Sequence, residues 1–285
     1  MDLCNLSVIK SVMADAGITF RKEFGQNFLI NRIIPEDIAD NCADTADRMI
    51  LEIGPGIGCL TKELAERYKK VVAVEIDKGL IPVLSKTLDD YDNITVINDD
   101  IMKVDIKALI EEYSEGMPVS VCANLPYYIT TPILMRLVES GVKFSSITVM
   151  VQNEVAARLA AKEGTSDYGA ITAVLGYYGT VRKLFKVSAG CFVPAPKVDS
   201  AVVRIDLYPE PIFDLKNEKL FFDLIKAAFE MRRKTLQNAI CSKLPRFSKE
   251  LVNDAIIFIG KDEKVRGERL STADFANLSN FLADK

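Results

Sequence analysis

The chain has 285 residues, 36 basic and 40 acidic, with 49% hydrophobic and 27% charged residues. That is ordinary globular composition, which excludes disorder, collagen and coiled coil, and the length supports a core without disulfides or metal. The chain contains no histidine, which removes Ser-His and Cys-His nucleophile pairs, histidine metal ligands and a histidine general base.

Residues 1–20 carry no usable pattern. From about residue 49, apolar runs alternate with helical stretches, which predicts a parallel sheet with crossover helices. The predicted strands are 49–53, 71–75, 94–97, 119–123 and 147–151. The uncharged window 116–135 contains Asn124 and three prolines, so it reads as a strand and a loop, not a membrane span. Thr131-Pro132 predicts an N-cap followed by proline at the first helical position. Residues 199–207 alternate apolar and polar, as expected of a half-exposed antiparallel strand at the sheet edge.

Tyr208-Pro209-Glu210-Pro211 interrupts helix and ladder alike and predicts a boundary between domains 1–209 and 210–285. The pattern beyond it is helical only, and Ser271 with Asp274 predicts a capping box opening the last helix. Residues 1–209 carry 22 basic and 28 acidic groups (−6), and residues 210–285 carry 14 and 12 (+2). The six cysteines, Cys4, Cys42, Cys59, Cys122, Cys191 and Cys241, include no C-x-x-C pair. They read as reduced thiols of a cytoplasmic protein, with no metal site. The N-terminus lacks the basic region of a signal peptide. No exposed apolar repeat suggests self-association, so a monomer is expected.

The strongest chemical signal is Leu51-Glu-Ile-Gly54-Pro-Gly56-Ile-Gly58, a strand running into a glycine loop that opens a helix, followed 21 residues after Gly54 by Glu75. Glycines let backbone approach a ligand, the helix N-terminus faces it, and the acid accepts ribose hydroxyls. Position 59 is Cys, so the dinucleotide pattern G-x-G-x-x-G is not met. G-x-G-x-G suits a cofactor with an adenosine and no pyrophosphate, such as S-adenosylmethionine; a ligand-free glycine turn is the plain alternative. The second signal is Asn124-Leu125-Pro126-Tyr127 after the fourth strand, beyond the carboxyl ends of the strands, where open α/β sheets bind ligands. An Asn oxygen and a backbone carbonyl before proline can accept both hydrogens of a planar exocyclic amine, and Tyr127 can stack on the ring that bears it. Alone, such a turn is more often structural; its coincidence with the glycine loop and Glu75 favours the chemical reading.

In these motifs the sequence resembles the KsgA-type small-subunit ribosomal RNA adenine dimethyltransferases. The likeness runs through Phe24-Gly-Gln-Asn-Phe-Leu29, Glu52-Ile-Gly-Pro-Gly-Ile-Gly58, Val74-Glu-Ile-Asp77 and Asn124-Leu-Pro-Tyr127. It continues in Phe192-Val-Pro-Ala-Pro-Lys-Val-Asp-Ser-Ala-Val-Val203 and Arg232-Arg-Lys-Thr-Leu236. The resemblance implies an α/β fold: a Rossmann-like S-adenosylmethionine-dependent methyltransferase sheet with a small C-terminal helical domain. It further implies dimethylation of two adjacent adenines in the hairpin loop near the 3′ end of small-subunit rRNA, with the rRNA or a pre-30S particle as partner and the cytoplasm as setting. It implies that Asn27, Leu29 and Asn124 line the cofactor site, that Gly54 meets the methionine side and Glu75 the ribose, and that Asp100 lies beside the adenine. Asn124 and Leu125 would present acceptors to the target amine, with Tyr127 on one face of the base and Phe192 a candidate for the other. For Phe192 an ordinary anchoring role weighs equally.

Seven basic residues and one acid lie between Asp223 and Glu250: Lys226, Arg232, Arg233, Lys234, Lys243, Arg246 and Lys249, against Glu230. Taken as helical, three consecutive charges sweep about 200° and cannot all face one groove. A solvated face is the plain reading, and the resemblance makes Arg232, Arg233 and Lys234 phosphate contacts, with Arg21 and Lys22 as additions. Three alternatives stay open: an Erm-type large-subunit rRNA methyltransferase, a ribosome-assembly factor that acts by binding, and a nicotinamide-dependent oxidoreductase.

Overall fold

The computed structural model describes residues 1–18 and 27–284. Residues 24–26 of the first motif, and Arg21 and Lys22, lie outside the described residues. Nine strands form among those described: β1 (Phe28–Leu29), β2 (Met49–Ile53), β3 (Lys70–Glu75), β4 (Ile94–Asn98), β5 (Val119–Asn124), β6 (Phe144–Gln152), β7 (Gly179–Val187), β8 (Phe192–Val193) and β9 (Ser200–Leu207). β1 and β8 make a short antiparallel pair, and the others form one sheet in the order β4-β3-β2-β5-β6-β9-β7.

The sheet is parallel from β4 to β6, and β9 pairs antiparallel with β6. All five residues of β2 are buried, as a parallel strand covered on both faces requires. From β2 the chain builds outward to β3 and β4, then crosses back to place β5 on the other side of β2. This reversal opens a crevice beyond the carboxyl ends of β2 and β5. The core beside it gathers Ile38, Ile50, Leu64, Val71, Cys122, Met150 and Val202.

The N-terminal stretch, silent in sequence, forms a helix over Leu6–Asp15, capped by the Asn5 side chain accepting from Ser7 N–H. Its Ile9, Val12 and Met13 pack against Phe28, Ile57, Leu80 and Val83. No described helix is long and apolar enough to cross a membrane.

The structure corrects four local expectations. β9 lies inside the sheet, not at its edge. Its polar positions imitate a solvent face, yet Arg204 is buried and bonded to Asp44 (2.6 Å), Asp206 (2.7 Å) and the Asn41 carbonyl (3.1 Å). The edge belongs to β7, which the predicted strands do not include; Arg182, Lys183 and Lys186 disguise it, as charges commonly do on strand edges. The helix expected from Thr131 begins at Thr130, without a side-chain cap, and Pro132 is its third residue. The Thr130 hydroxyl donates to the Pro126 carbonyl at 3.3 Å, carrying the preceding turn directly into the helix. Finally, Arg232-Arg233-Lys234 lies on the turn between helices Glu218–Glu230 and Leu236–Lys243, so the helical sweep does not apply.

By internal contacts the chain divides into Met1–Ala156 with Arg182–Pro209, and Ala157–Val181 with Glu210–Lys285. The 209/210 division coincides with the proline pair, whereas residues 157–181 group with the C-terminal segment, which a contiguous division does not anticipate. Tyr168 donates to the Leu270 carbonyl at 2.9 Å, and the Tyr177 ring lies 5.3 Å from that of Phe221. From Glu210 onward the elements of this unit are all helices, and Ser271 and Asp274 form the expected capping box over Thr272–Ala283.

Candidate active site

The crevice is an open cleft, and its lining belongs wholly to the first unit. The loop after β2 supplies Gly54, Pro55 and Gly56, β3 supplies Glu75, the turn after β5 supplies Asn124 to Tyr127, and the segment entering β1 supplies Asn27 to Leu29. Ile57, Ile76 and Leu80 give it apolar walls.

Backbone conformation explains the glycines. Gly54 has φ 71°, and a Cβ there would point into open space; Gly58 has φ 93°, and its Cβ would come within 2.9 Å of Leu88 Cδ2. The first makes room for a ligand and the second lets the helix Cys59–Arg67 start tightly against its neighbour. Glu75 is buried at 4% exposure, with Oε2 accepting from Gly56 N–H (3.1 Å) and Oε1 from Asp77 N–H (2.8 Å). Burial raises its pKa, and those two amides oppose the shift. Each oxygen keeps a lone pair, so the carboxylate is oriented without being saturated.

Asn124 Nδ2 donates to the Asn27 carbonyl at 3.4 Å, which leaves Oδ1 as the acceptor end of the amide. Leu125 is held by its N–H, which donates to the Met150 carbonyl at 3.2 Å, and its own carbonyl precedes Pro126. The Tyr127 hydroxyl and Ser200 Oγ lie 2.7 Å apart, which fixes the ring by its far end, and burial raises the phenol pKa.

Asn27, Leu29, Gly54, Glu75, Asn124, Leu125 and Tyr127 therefore meet in one cleft, as expected for the site, and two other residues do not join them. Asp100 follows β4 outside the lining; it accepts from Met102 N–H at 2.9 Å and faces Lys103 at 3.7 Å. Phe192, on β8 opposite Leu29, is 2% exposed within the core and presents no face to the cleft, so the anchoring role is the one its placement fits. In the second unit, Arg232 is committed to Glu268 (2.8 Å) and the Ser166 carbonyl (2.7 Å). Arg233 and Lys234 are exposed and make no ion pair among the described residues. Lys226 and Lys243 face Glu230, and Arg246 lies over the Phe247 ring.

The sequence motifs assign no role to Glu52, although this carboxyl lines the cleft at 1% exposure. Among the described residues its Oε2 has no hydrogen-bond partner, nor has Thr61 Oγ1. Burial pushes its pKa up to about 8, and the nearby Thr61 hydroxyl softens the shift without completing a bond of ordinary geometry. A charged residue inside a wholly buried strand was the available signal. An unpartnered buried carboxyl, a carboxylate poised by amides, an open glycine cradle and apolar walls suit a ligand with a cationic polar end and an adenosine, as S-adenosylmethionine has.

Comparison with known proteins agrees with the geometry. The ribosomal RNA adenine dimethylase family profile matches residues 17–284. A ribosomal RNA small subunit methyltransferase A of Alkaliphilus metalliredigens (strain QYMF) is 47% identical over 277 residues, 97% of this chain and 96% of that one. Among solved structures, a dimethyladenosine transferase from Plasmodium falciparum superposes with TM-score 0.73 at 27% identity, over 88% of this chain and 95% of that one. The 23S rRNA methyltransferase ErmE gives 0.70 at 26%, over 91% and 100%. Fold similarity thus barely separates these two activities, whereas sequence identity is much higher to the small-subunit enzyme. With the sheet, the switch-point cleft and the match over nearly its whole length, the chain belongs to the ribosomal RNA adenine dimethylase family.

Proposed function

We propose that the protein is an S-adenosylmethionine-dependent rRNA adenine N(6)-dimethyltransferase, acting in the cytoplasm on two adjacent adenines of the hairpin loop near the 3′ end of small-subunit rRNA. The observation that carries this reading is the convergence of the glycine loop, Glu75 and the Asn124–Tyr127 turn on one cleft at the strand-order reversal.

S-adenosylmethionine, when bound, supplies a methyl group on a cationic sulfur. Gly54 leaves space for the methionine portion, and Glu75 accepts the ribose hydroxyls with the lone pairs that Gly56 and Asp77 leave free. Asn124 Oδ1, turned by the Asn27 carbonyl, accepts one N–H of the target amine, and the Leu125 carbonyl accepts the other. Two acceptors draw the nitrogen lone pair out of conjugation and aim it for in-line attack. Tyr127, its ring fixed through Ser200, stacks on the base. The amine proton passes to water, so the chemistry needs no histidine. Alignment of the reactants supplies most of the rate. Loop bases are already unpaired, so presenting them costs at most a few kcal/mol.

The second unit, whose Arg233 and Lys234 are exposed on a turn and make no ion pair among the described residues, supports a role in RNA contact, while Arg232 is an internal brace to Glu268 and Ser166. Labelled S-adenosylmethionine with undermodified small and large ribosomal subunits, followed by mapping of the modified bases, tests the whole reading. Adjacent dimethyladenines in the small-subunit hairpin are expected. Labelling of the large subunit instead would move the protein to the Erm-type activity, and absence of labelling would leave a binding role in assembly.

A further inference from the structure

Cys4, just before the N-terminal helix, and Cys59, the first residue of the helix after the glycine loop, meet with their sulfurs 2.8 Å apart. A disulfide requires about 2.05 Å, so less than one ångström of further approach separates this contact from a bond. A cleft bordered by Asp2, Arg32, Lys62 and Glu63 reaches both cysteines. Cys59 also lines the cleft of the candidate active site, so it stands in the wall between the two.

The other close cysteines make a useful contrast. Cys42 and Cys122, the latter on β5, are both fully buried, and Cys42 Sγ turns to the Val121 carbonyl at 3.8 Å. No small oxidant has a path to them comparable to the cleft over Cys4 and Cys59.

We propose that Cys4 and Cys59 are an oxidative modification site, a dithiol that hydrogen peroxide converts to an intramolecular disulfide. In the first step the Cys4 thiolate attacks one peroxide oxygen, the O–O bond breaks, and one water leaves after protonation; Cys4 becomes a sulfenic acid. In the second, the Cys59 sulfur attacks Cys4, the Cys4 S–O bond breaks, and the Cys59 proton leaves with the hydroxyl as a second water. Both sulfurs are oxidised by one electron each, and both peroxide oxygens are reduced to water. A dithiol reductant reverses the bond by exchange and is itself closed to a disulfide.

The electrostatics favour Cys4 as the attacking thiol. The contact with Cys59 lowers the Cys4 pKa, with Arg32 acting in the same sense against burial, Asp2 and Glu63. The same contact, followed by burial, raises Cys59, so Cys59 stays protonated at first and reacts second, giving up its proton as it attacks Cys4. A lowered attacking thiol beside a resolving partner is the arrangement of a redox-sensitive pair, and transient disulfides of this kind occur in cytosolic proteins. The bond would staple the N-terminal segment to the first turn of the helix that follows the glycine loop.

The test uses the full chain, reduced and desalted, then exposed to a small molar excess of hydrogen peroxide, alkylated and digested. A peptide joining Cys4 to Cys59 is expected, absent after dithiothreitol treatment, with an intact mass lower by two hydrogens. It should form roughly tenfold faster than thiol loss at the isolated Cys241. Cys4→Ser should remove it, and Cys241→Ser should not. Recovery of Cys4 or Cys59 as alkylated thiols or sulfinic acids without the linked peptide, or linkage to another cysteine, would overturn the proposal. Mapping on the unsubstituted chain requires no variant to fold, and it is independent of the methyl-transfer reading.

Discussion

Glu52 is a buried carboxyl group, 1% exposed, and one of its oxygens has no donor among the described residues. With its pKa pushed from 4.5 up to about 8, the folded protein keeps a proton there that the unfolded chain has already released. Stability therefore falls as pH rises between those values, by up to about 1.4 kcal/mol per pH unit; below the window this group adds no pH dependence, and above it the loss stays constant. Glu75, raised in the same direction, adds to the slope. Glu52→Gln keeps the shape and removes the ionisation, so melting curves from pH 5 to 8 should be flatter for this variant than for the parent. Parallel curves would mean that Glu52 is not the buried acid described. Asn124 presents the opposite case, a neutral group whose removal should spare the fold. Asn124→Ala should lower kcat about a hundredfold or more, the scale of losing one preorganised polar partner, while calorimetry still detects S-adenosylmethionine binding. Near-normal turnover would withdraw the assigned role.

At the scale of the element, the glycine loop joins two requirements that substitution separates. Gly54→Ala meets no atom within 4 Å and suffers only the left-handed backbone, about 1 kcal/mol, yet it places a methyl in the cleft. Gly58→Ala suffers the same backbone cost and drives its Cβ to 2.9 Å from Leu88 and 3.2 Å from Thr87 Oγ1. Its expected loss is about 2–3 kcal/mol of stability. Thermal melting and cofactor titration of the two variants should rank them oppositely: Gly58→Ala worse in stability, Gly54→Ala worse in affinity relative to its stability. The same loop shows what a sequence pattern exposes. Strand, glycines and following acid were legible because each is a local backbone or spacing requirement. β7 and the true setting of β9 were not, because Arg182, Lys183 and Lys186 mark an edge while Arg204 is neutralised inside the fold by Asp44 and Asp206.

At the scale of the whole molecule, net charge is −4, so RNA recognition rests on where the cations lie, not on their sum. Arg233 and Lys234 are exposed and make no ion pair among the described residues, whereas Arg232 is bonded to Glu268 and Ser166. Charge reversal of Arg233 and Lys234 should weaken binding to small-subunit rRNA and reduce the slope of log affinity against log salt by about 1 for each phosphate no longer neutralised. An unchanged slope in filter binding would remove this turn from the RNA surface. Arg232→Ala should instead lower the melting temperature of the protein.

The sequence by itself determined the parallel sheet, the glycine loop with Glu75 after it, and the Asn124–Tyr127 turn, since all follow from local periodicity, turn chemistry or spacing. Only the tertiary structure decided which of the marked residues share a cleft. Strand order put β2 beside β5 and so brought Asn124 to Gly54, while packing withdrew Phe192 into the core and left Asp100 outside the lining. It also grouped residues 157–181 with the C-terminal helices, and set Cys4 against Cys59. Burial, ion pairing and proximity across long sequence separations depend on how the faces of distant elements meet, and no local pattern encodes that.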